Sequence, residues 1–229
     1  SGPTLVIVGG LHGNEPAGIR AAQLVHHAIQ AGTLALRAGR LVSLRGNVAA
    51  LSLGHSPAPR YIDEVRNRAC IGPWDLGPDS GAEQREGAEL ASLLADVASA
   101  TSHPAYLLDL HTVSSESPPF IVLEDSLAAR GFASSFPLPK MLGLEEELDG
   151  LLIDHATQQF GYISCIIESG LHDDPRSAVI HEALILSALE QLGMTGPGVK
   201  TSTGEEPLSV STAAAGEHAH HYYDLRQRV

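Results

Sequence analysis

Aromatic side chains make up only 4% of this 229-residue chain while 43% of it is hydrophobic. The core therefore has to be built from Leu, Ala, Val and Ile, which suits helices packed on a sheet. Cysteine is scarce too. Cys70 and Cys165 stand far apart with no CxxC spacing, which excludes a disulfide framework and points to a reducing, cytoplasmic setting. Cations are outnumbered, 14 Lys and Arg against 27 Asp and Glu, for a net charge of −13. That balance excludes general nucleic-acid binding, which needs clustered basic side chains. No apolar run approaches the roughly 18 residues of a membrane span, and no basic segment followed by an apolar one opens the chain. Neither nucleic acid nor membrane is an expected partner, and a homo-oligomer stays open.

The length fits one large α/β unit with a sizeable core. We expect a catalytic domain over residues 1–200, followed by a linker and an edge strand over 201–229. The informative stretch is Thr4 to Gly18, TLVIVGGLHGNEPAG. Leu5 to Val8 reads as a strand buried on both faces, as in a parallel sheet. Gly9 and Gly10 let the backbone leave the sheet, and Pro16 suits a helix start near Glu15. His12 and Glu15 then stand at the carboxyl end of a strand, where open α/β sheets build their sites. An imidazole and a carboxylate three residues apart can converge on one point, as two ligands of Zn²⁺. Taken alone, HxxE is more often a loop histidine and a carboxylate favoured by the helix dipole. A second strand ending in Asp109-Leu110-His111-Thr112 changes that balance, because catalytic zinc commonly uses two His and one Glu.

Helices are expected from Glu15 to about Gln30, Ser80 to Ser99, Ser126 to Phe132 and Pro175 to Leu192, and strands at Leu41–Leu44, Ala105–Asp109, Phe120–Leu123 and Tyr162–Ile167. Leu151 to Phe160 fits either type. Asn47 should tie down a turn, and Trp74 should join the core. Ser52 to Asp79 holds four prolines and little periodicity, so it reads as a long loop over the carboxyl edge of the sheet, and loops of that length tend to be functional. Within it Arg60, Arg66 and Arg68 place positive charge in an acidic chain. Pro137 to Asp149 reads as irregular and acidic, Glu145 to Glu147 as a solvated run, and His218, His220 and His221 as part of a solvated edge strand.

GGLHGNEPAG, RYIDEVRNR at Arg60 to Arg68, DLHT at Asp109 to Thr112 and IIESG at Ile166 to Gly170 together resemble the ordered motifs of the succinylglutamate desuccinylase/aspartoacylase family. The resemblance implies a zinc carboxypeptidase-like fold: a mixed, largely parallel β-sheet flanked by helices, here with a short C-terminal β appendage. By position it implies His12, Glu15 and His111 as ligands of one Zn²⁺ and Glu168 as the base that activates the attacking water. It assigns Arg60 to the scissile carbonyl, and Asn67 with Arg68 to the carboxylate of a small acidic N-acyl amino acid. Family members usually continue into a C-terminal β-rich domain, which would start where this chain stops.

Two departures bear on specificity. Val65-Arg66-Asn67-Arg68 stands where members commonly read D-L-N-R, and Gln158 and Gln159 occupy the neighbourhood of an arginine that some members carry. Asp109, two residues before His111, would face the same side and either support its ring or serve as a bonded structural carboxylate. The expected activity is removal of an acyl group from an N-acyl amino acid. Its rivals are a metallocarboxypeptidase acting on short peptides and a metal-containing binding module without turnover.

Overall fold

The computed structural model describes residues 1–53, 59–62, 81–144, 148, 150–204 and the backbone of 222–224. Arg66, Asn67, Arg68, Cys70, Trp74, Glu145 to Glu147 and His218, His220 and His221 lie outside the described residues.

Strand β1 (Thr4–Gly9) is buried along its whole length, as its unbroken apolar run requires. Its side chains alternate between two cores. Leu5 and Ile7 join a cluster with Val25 of α1 (Ala17–Gln30) and Leu184 of α6 (Pro175–Gln191). Val6 and Val8 join another with Leu90 and Leu94 of α3 (Ala82–Ser99) and Ile153 of α5 (Leu152–Phe160). Helices thus cover both faces of one seven-stranded sheet. The other strands are β2 (Arg40–Arg45), β3 (Ala105–Val113), β4 (Phe120–Leu123), β5 (Lys140–Leu142), β6 (Ile163–Leu171) and β7 (Tyr222–Asp224), in the spatial order β2-β1-β3-β6-β4-β5-β7. Every pairing is parallel except β4 with β6. The chain moves outward from β1 to β2 on one side and from β3 to β6 on the other. The order therefore reverses between β1 and β3, and their carboxyl ends flank the crevice such a reversal opens.

Several boundaries differ from expectation for physical reasons. Helix α1 begins at Ala17, with Pro16 in the capping place and Glu15 in the preceding turn, where its N–H donates to His12 O at 3.2 Å. A short helix, α2 (Val48–Ser52), follows the Asn47 turn and leads into the segment read as loop from Ser52; Asn47 caps it by accepting from Ala50 N at 2.9 Å. Helix α4 (Leu127–Ala133) is capped by Ser126. Leu152–Phe160 resolves as helix, ended by Gly161 at φ +73. β5 falls in a segment read as irregular, its three residues being too short a run to show a period. β3 and β6 run on to Val113 and Leu171, so His111 and Glu168 lie within strands rather than beyond them.

Lys140 is fully buried on β5, its Nζ donating to Phe136 O at 2.7 Å and Leu138 O at 2.9 Å. Burial pushes its pKa down from 10.5 to about 8. The folded chain therefore holds this proton less tightly than the unfolded chain, so charged Lys140 disfavours folding below about pH 8. That penalty fades as pH rises from about 8 toward 10.5. Urea unfolding of wild type and Lys140→Met at pH 7 and pH 10 checks this. The stability difference should shift in favour of wild type at pH 10, and an unchanged difference would contradict it.

Candidate active site

The site is assembled from three neighbouring parallel strands. β1 leads into the turn that carries His12 and Glu15, β3 carries Asp109 and His111, and β6 carries Glu168, the register partner of His111. Gly10, at φ +71, turns the chain out of β1. Gly13 N donates to Arg60 O at 3.1 Å, and a Cβ at Gly13 would collide with Pro59 O, so only glycine lets the arginine segment lie this close.

At the centre is the Glu15 carboxylate, only 1% exposed. Its Oε1 accepts from His12 Nδ1 at 2.9 Å and Arg60 Nη1 at 2.7 Å. Its Oε2 accepts from His111 Nδ1 at 3.0 Å and the Thr112 backbone N–H at 3.1 Å. Arg60 Nη2 also lies 3.2 Å from His12 Nε2. A guanidinium can only donate, so in this arrangement His12 Nε2 accepts and Nδ1 carries the hydrogen. On the far side of the other imidazole, Asp109 Oδ1 approaches His111 Nε2 to 3.1 Å, an ion-pair contact off the line of a hydrogen bond.

These contacts set the charges. Burial works against the Glu15 anion, but the bonds from His111 and His12 outweigh it and hold its pKa well below the carboxylate range. Burial lowers the pKa of His12. For His111 burial acts in the same direction, yet Asp109 and Glu15 prevail and its pKa is raised. Glu168 is different: burial raises its pKa to about 7, and among the described residues its buried Oε2 has no hydrogen-bond partner.

His12, Glu15 and His111 offer two imidazole nitrogens and a carboxylate oxygen within 4.8 Å of one another, all buried. This donor set suits Zn²⁺, which takes His nitrogen and Glu oxygen and leaves a position open in catalytic sites. A buried anion already surrounded by N–H donors is also one a cation stabilises. Asp109, against the other nitrogen of His111, stands where a partner would fix a ligand's ring. The structure therefore brings together His12, Glu15, Arg60, His111 and Glu168, with Asp109 beside His111. Arg60 contacts two of the candidate ligands directly, a placement the motif did not convey.

The sequence also gave no sign of Thr112 N as a donor, of Tyr61, or of Glu83. Tyr61 OH accepts from Arg60 Nε at 3.0 Å, and its ring meets that of His12 edge to face. Glu83 is buried at the start of α3, where its carboxylate accepts from Asn47 Nδ2 and, at 2.7 Å, from Ile62 N. It joins α2 to the segment that presents Arg60. Glutamate in a first helical turn is ordinary in sequence, so only the fold reveals this role.

The fold, a mixed and largely parallel sheet flanked by helices, is of the zinc carboxypeptidase-like class. A sequence profile described as "Succinylglutamate desuccinylase/Aspartoacylase catalytic domain" matches residues 1–188, and the chain belongs to that family of amide hydrolases. Succinylglutamate desuccinylase from Pseudomonas aeruginosa is 35% identical over 112 residues, 49% of this chain and 32% of that enzyme. The aligned stretch thus spans about a third of the curated relatives. Among solved structures, succinylglutamate desuccinylase from Chromobacterium violaceum superposes with a TM-score of 0.69 at 20% identity, covering 88% of this chain and 63% of that one. The ectoine utilization protein EutE (DoeB) from Ruegeria pomeroyi, in a product-bound structure, gives 0.66 at 19% identity, over 98% and 62%. Murine aminoacylase 3 gives 0.61 at 20% identity, over 83% and 64%. These structural likenesses establish the fold. No helix among the described residues is long and apolar enough to cross a membrane.

Removing the Glu83 carboxylate should loosen the arginine segment before it unfolds the domain. Glu83→Ala is expected to cost about 1–3 kcal/mol and to speed hydrogen exchange at the Ile62 amide. Wild-type protection at Ile62 in the variant would show that the segment is held by other contacts.

Proposed function

We propose that residues 1–200 act as the catalytic domain of a zinc-dependent amide hydrolase that removes the acyl group from a small acidic N-acyl amino acid. The observation that carries this reading is the placement of Glu168. Glu168 is the register partner of His111 on the neighbouring strand, beside the His12, Glu15 and His111 cluster, and among the described residues its Oε2 has no hydrogen-bond partner.

His12, Glu15 and His111 would hold Zn²⁺, with Asp109 steadying the His111 ring. When bound, the ion supplies Lewis acidity for an attack by water on a carbonyl. Glu168 takes the proton from the attacking water as oxygen bonds to the acyl carbon, and then delivers it to the amide nitrogen as the C–N bond breaks. The products are a carboxylate and a free amino acid. In the metal-free chain burial raises the pKa of this carboxyl to about 7, toward the range that suits a group taking up and returning a proton. Arg60, beside the cluster, donates to the oxygen on which charge develops. Asn67 and Arg68 are assigned to the substrate carboxylate by their place in the motif; a guanidinium fork matches that group with two parallel bonds.

The test is metal analysis followed by a substrate panel. Wild type should take up about one equivalent of zinc and hydrolyse N-acyl amino acids in preference to C-terminal dipeptides. Glu168→Gln should retain the zinc and lose roughly 10²- to 10⁴-fold in turnover. Failure to bind zinc would overturn the reading. Preference for dipeptides would make the chain a metallocarboxypeptidase, and tight acyl amino acid binding without turnover would make it a binding module.

A further inference from the structure

The pairing between β3 and β6 is regular from Tyr106 to His111 and then shifts, with His111 opposite Glu168 but Val113 opposite Leu171. A bulge of this kind releases backbone groups from the ladder and re-aims the residues beside it. The Thr112 N–H donates to Glu15 Oε2. The His111 carbonyl is taken by side chains: His181 Nε2 lies 3.1 Å from it and Ser169 Oγ 3.5 Å. His181 and Ser169 also meet each other, Nε2 to Oγ, at 2.8 Å. A carbonyl can only accept, so His181 carries its hydrogen on Nε2 in this arrangement.

His181 is fully buried on α6, and among the described residues its Nδ1 has no hydrogen-bond partner. A buried imidazole with an unsatisfied nitrogen is costly for a position that a leucine could fill, which marks its other nitrogen as the reason for its presence. One turn earlier on the same helix, Ser177 Oγ donates to Leu171 O at 2.8 Å. His172, just after β6, completes the stitching, donating its N–H to Val113 O at 3.1 Å and placing Nδ1 2.7 Å from Thr112 Oγ1. The Ser169–His181 pair has the atoms of a Ser–His nucleophile but not its setting, since His181 Nε2 is committed to a backbone carbonyl and no carboxylate among the described residues meets Nδ1.

We propose that His181, with Ser169, is a positioning residue. It fastens the bulged backbone of β3 and thereby fixes His111, the Thr112 N–H and Glu168 relative to one another. The inference rests on the assignment of His111 as a zinc ligand and Glu168 as base. Its structural half, the tie between His181 and the Thr112 amide, does not.

The experiment compares His181→Gln with His181→Asn. Both replace the ring with a primary amide, but only the longer side chain can bring an N–H to the His111 carbonyl. In metal-free protein, hydrogen exchange at the Thr112 amide should stay slow in His181→Gln and speed up in His181→Asn. Zinc affinity, measured by competition with a chelator, should fall about 10- to 100-fold in His181→Asn, the usual effect of removing a group that orients a ligand. It should be largely restored in His181→Gln. The loss of activity in His181→Asn should fall on kcat rather than KM, because the residues assigned to the substrate carboxylate lie in a different segment. Ser169→Ala should move the same readouts in the same direction by a smaller amount. Equal exchange and equal affinity in the Gln and Asn variants would overturn the proposal, whether both match wild type or both are impaired, since either outcome leaves no role for the Nε2 hydrogen bond. Failure of wild type to bind zinc would overturn the functional reading instead, and the Thr112 exchange comparison would still decide this one.

Discussion

A single buried anion governs the architecture. The Glu15 carboxylate accepts from the turn after β1, from the ring and the next backbone N–H of β3, and from the arginine segment that follows α2. Breaking such an arrangement leaves a charge in a low-dielectric interior, which commonly costs 3–5 kcal/mol. The surrounding elements are therefore constrained to present N–H groups to one point, with the Asp109 and Glu168 carboxyl groups close by. This gathering of carboxyl groups, two imidazoles and one guanidinium is the setting of the proposed metal site.

The sheet departs from regularity beside the same carboxylate. The His111 carbonyl and the Thr112 N–H belong to one peptide group and point to opposite sides of β3. Where the β3–β6 register shifts, His181 and Ser169 meet the carbonyl on one side, and past the end of β1 the Glu15 carboxylate accepts from the N–H on the other. Local loss of strand pairing is offset by side chains from β6 and α6. The same two strands thus position a candidate ligand and a candidate base, with a helix behind them to hold the irregularity in place.

The sequence made much of this legible. The apolar run of β1, the periodicity of α1, α3 and α6, and the DLHT and IIESG motifs located the central strands, and a largely parallel sheet followed from runs buried on both faces. The convergence of His12, Glu15 and His111 on one point was legible because a turn restricts the spacing of His12 and Glu15 and a neighbouring parallel strand ends in the DLHT motif. Glu83, Thr112 and His181 were not. Glu83 looks like any glutamate favoured by a helix dipole, Thr112 acts through a backbone N–H that has no residue code, and His181 sits in an apolar helix pattern without interrupting it. Their roles depend on contacts 21, 97 and 70 residues away in sequence, which no local pattern encodes. β5 escaped notice because three residues cannot show a period, and α2 because five residues after an asparagine look the same as loop.

The central claim is that His12, Glu15 and His111 form one metal centre. X-ray absorption at the zinc edge of the reconstituted protein tests it most directly, because it reads the ligands themselves. The account predicts a nitrogen and oxygen shell with the outer-shell scattering of two imidazoles, reduced to one in His111→Ala. Sulfur in the first shell, or a spectrum unchanged by that substitution, would contradict it.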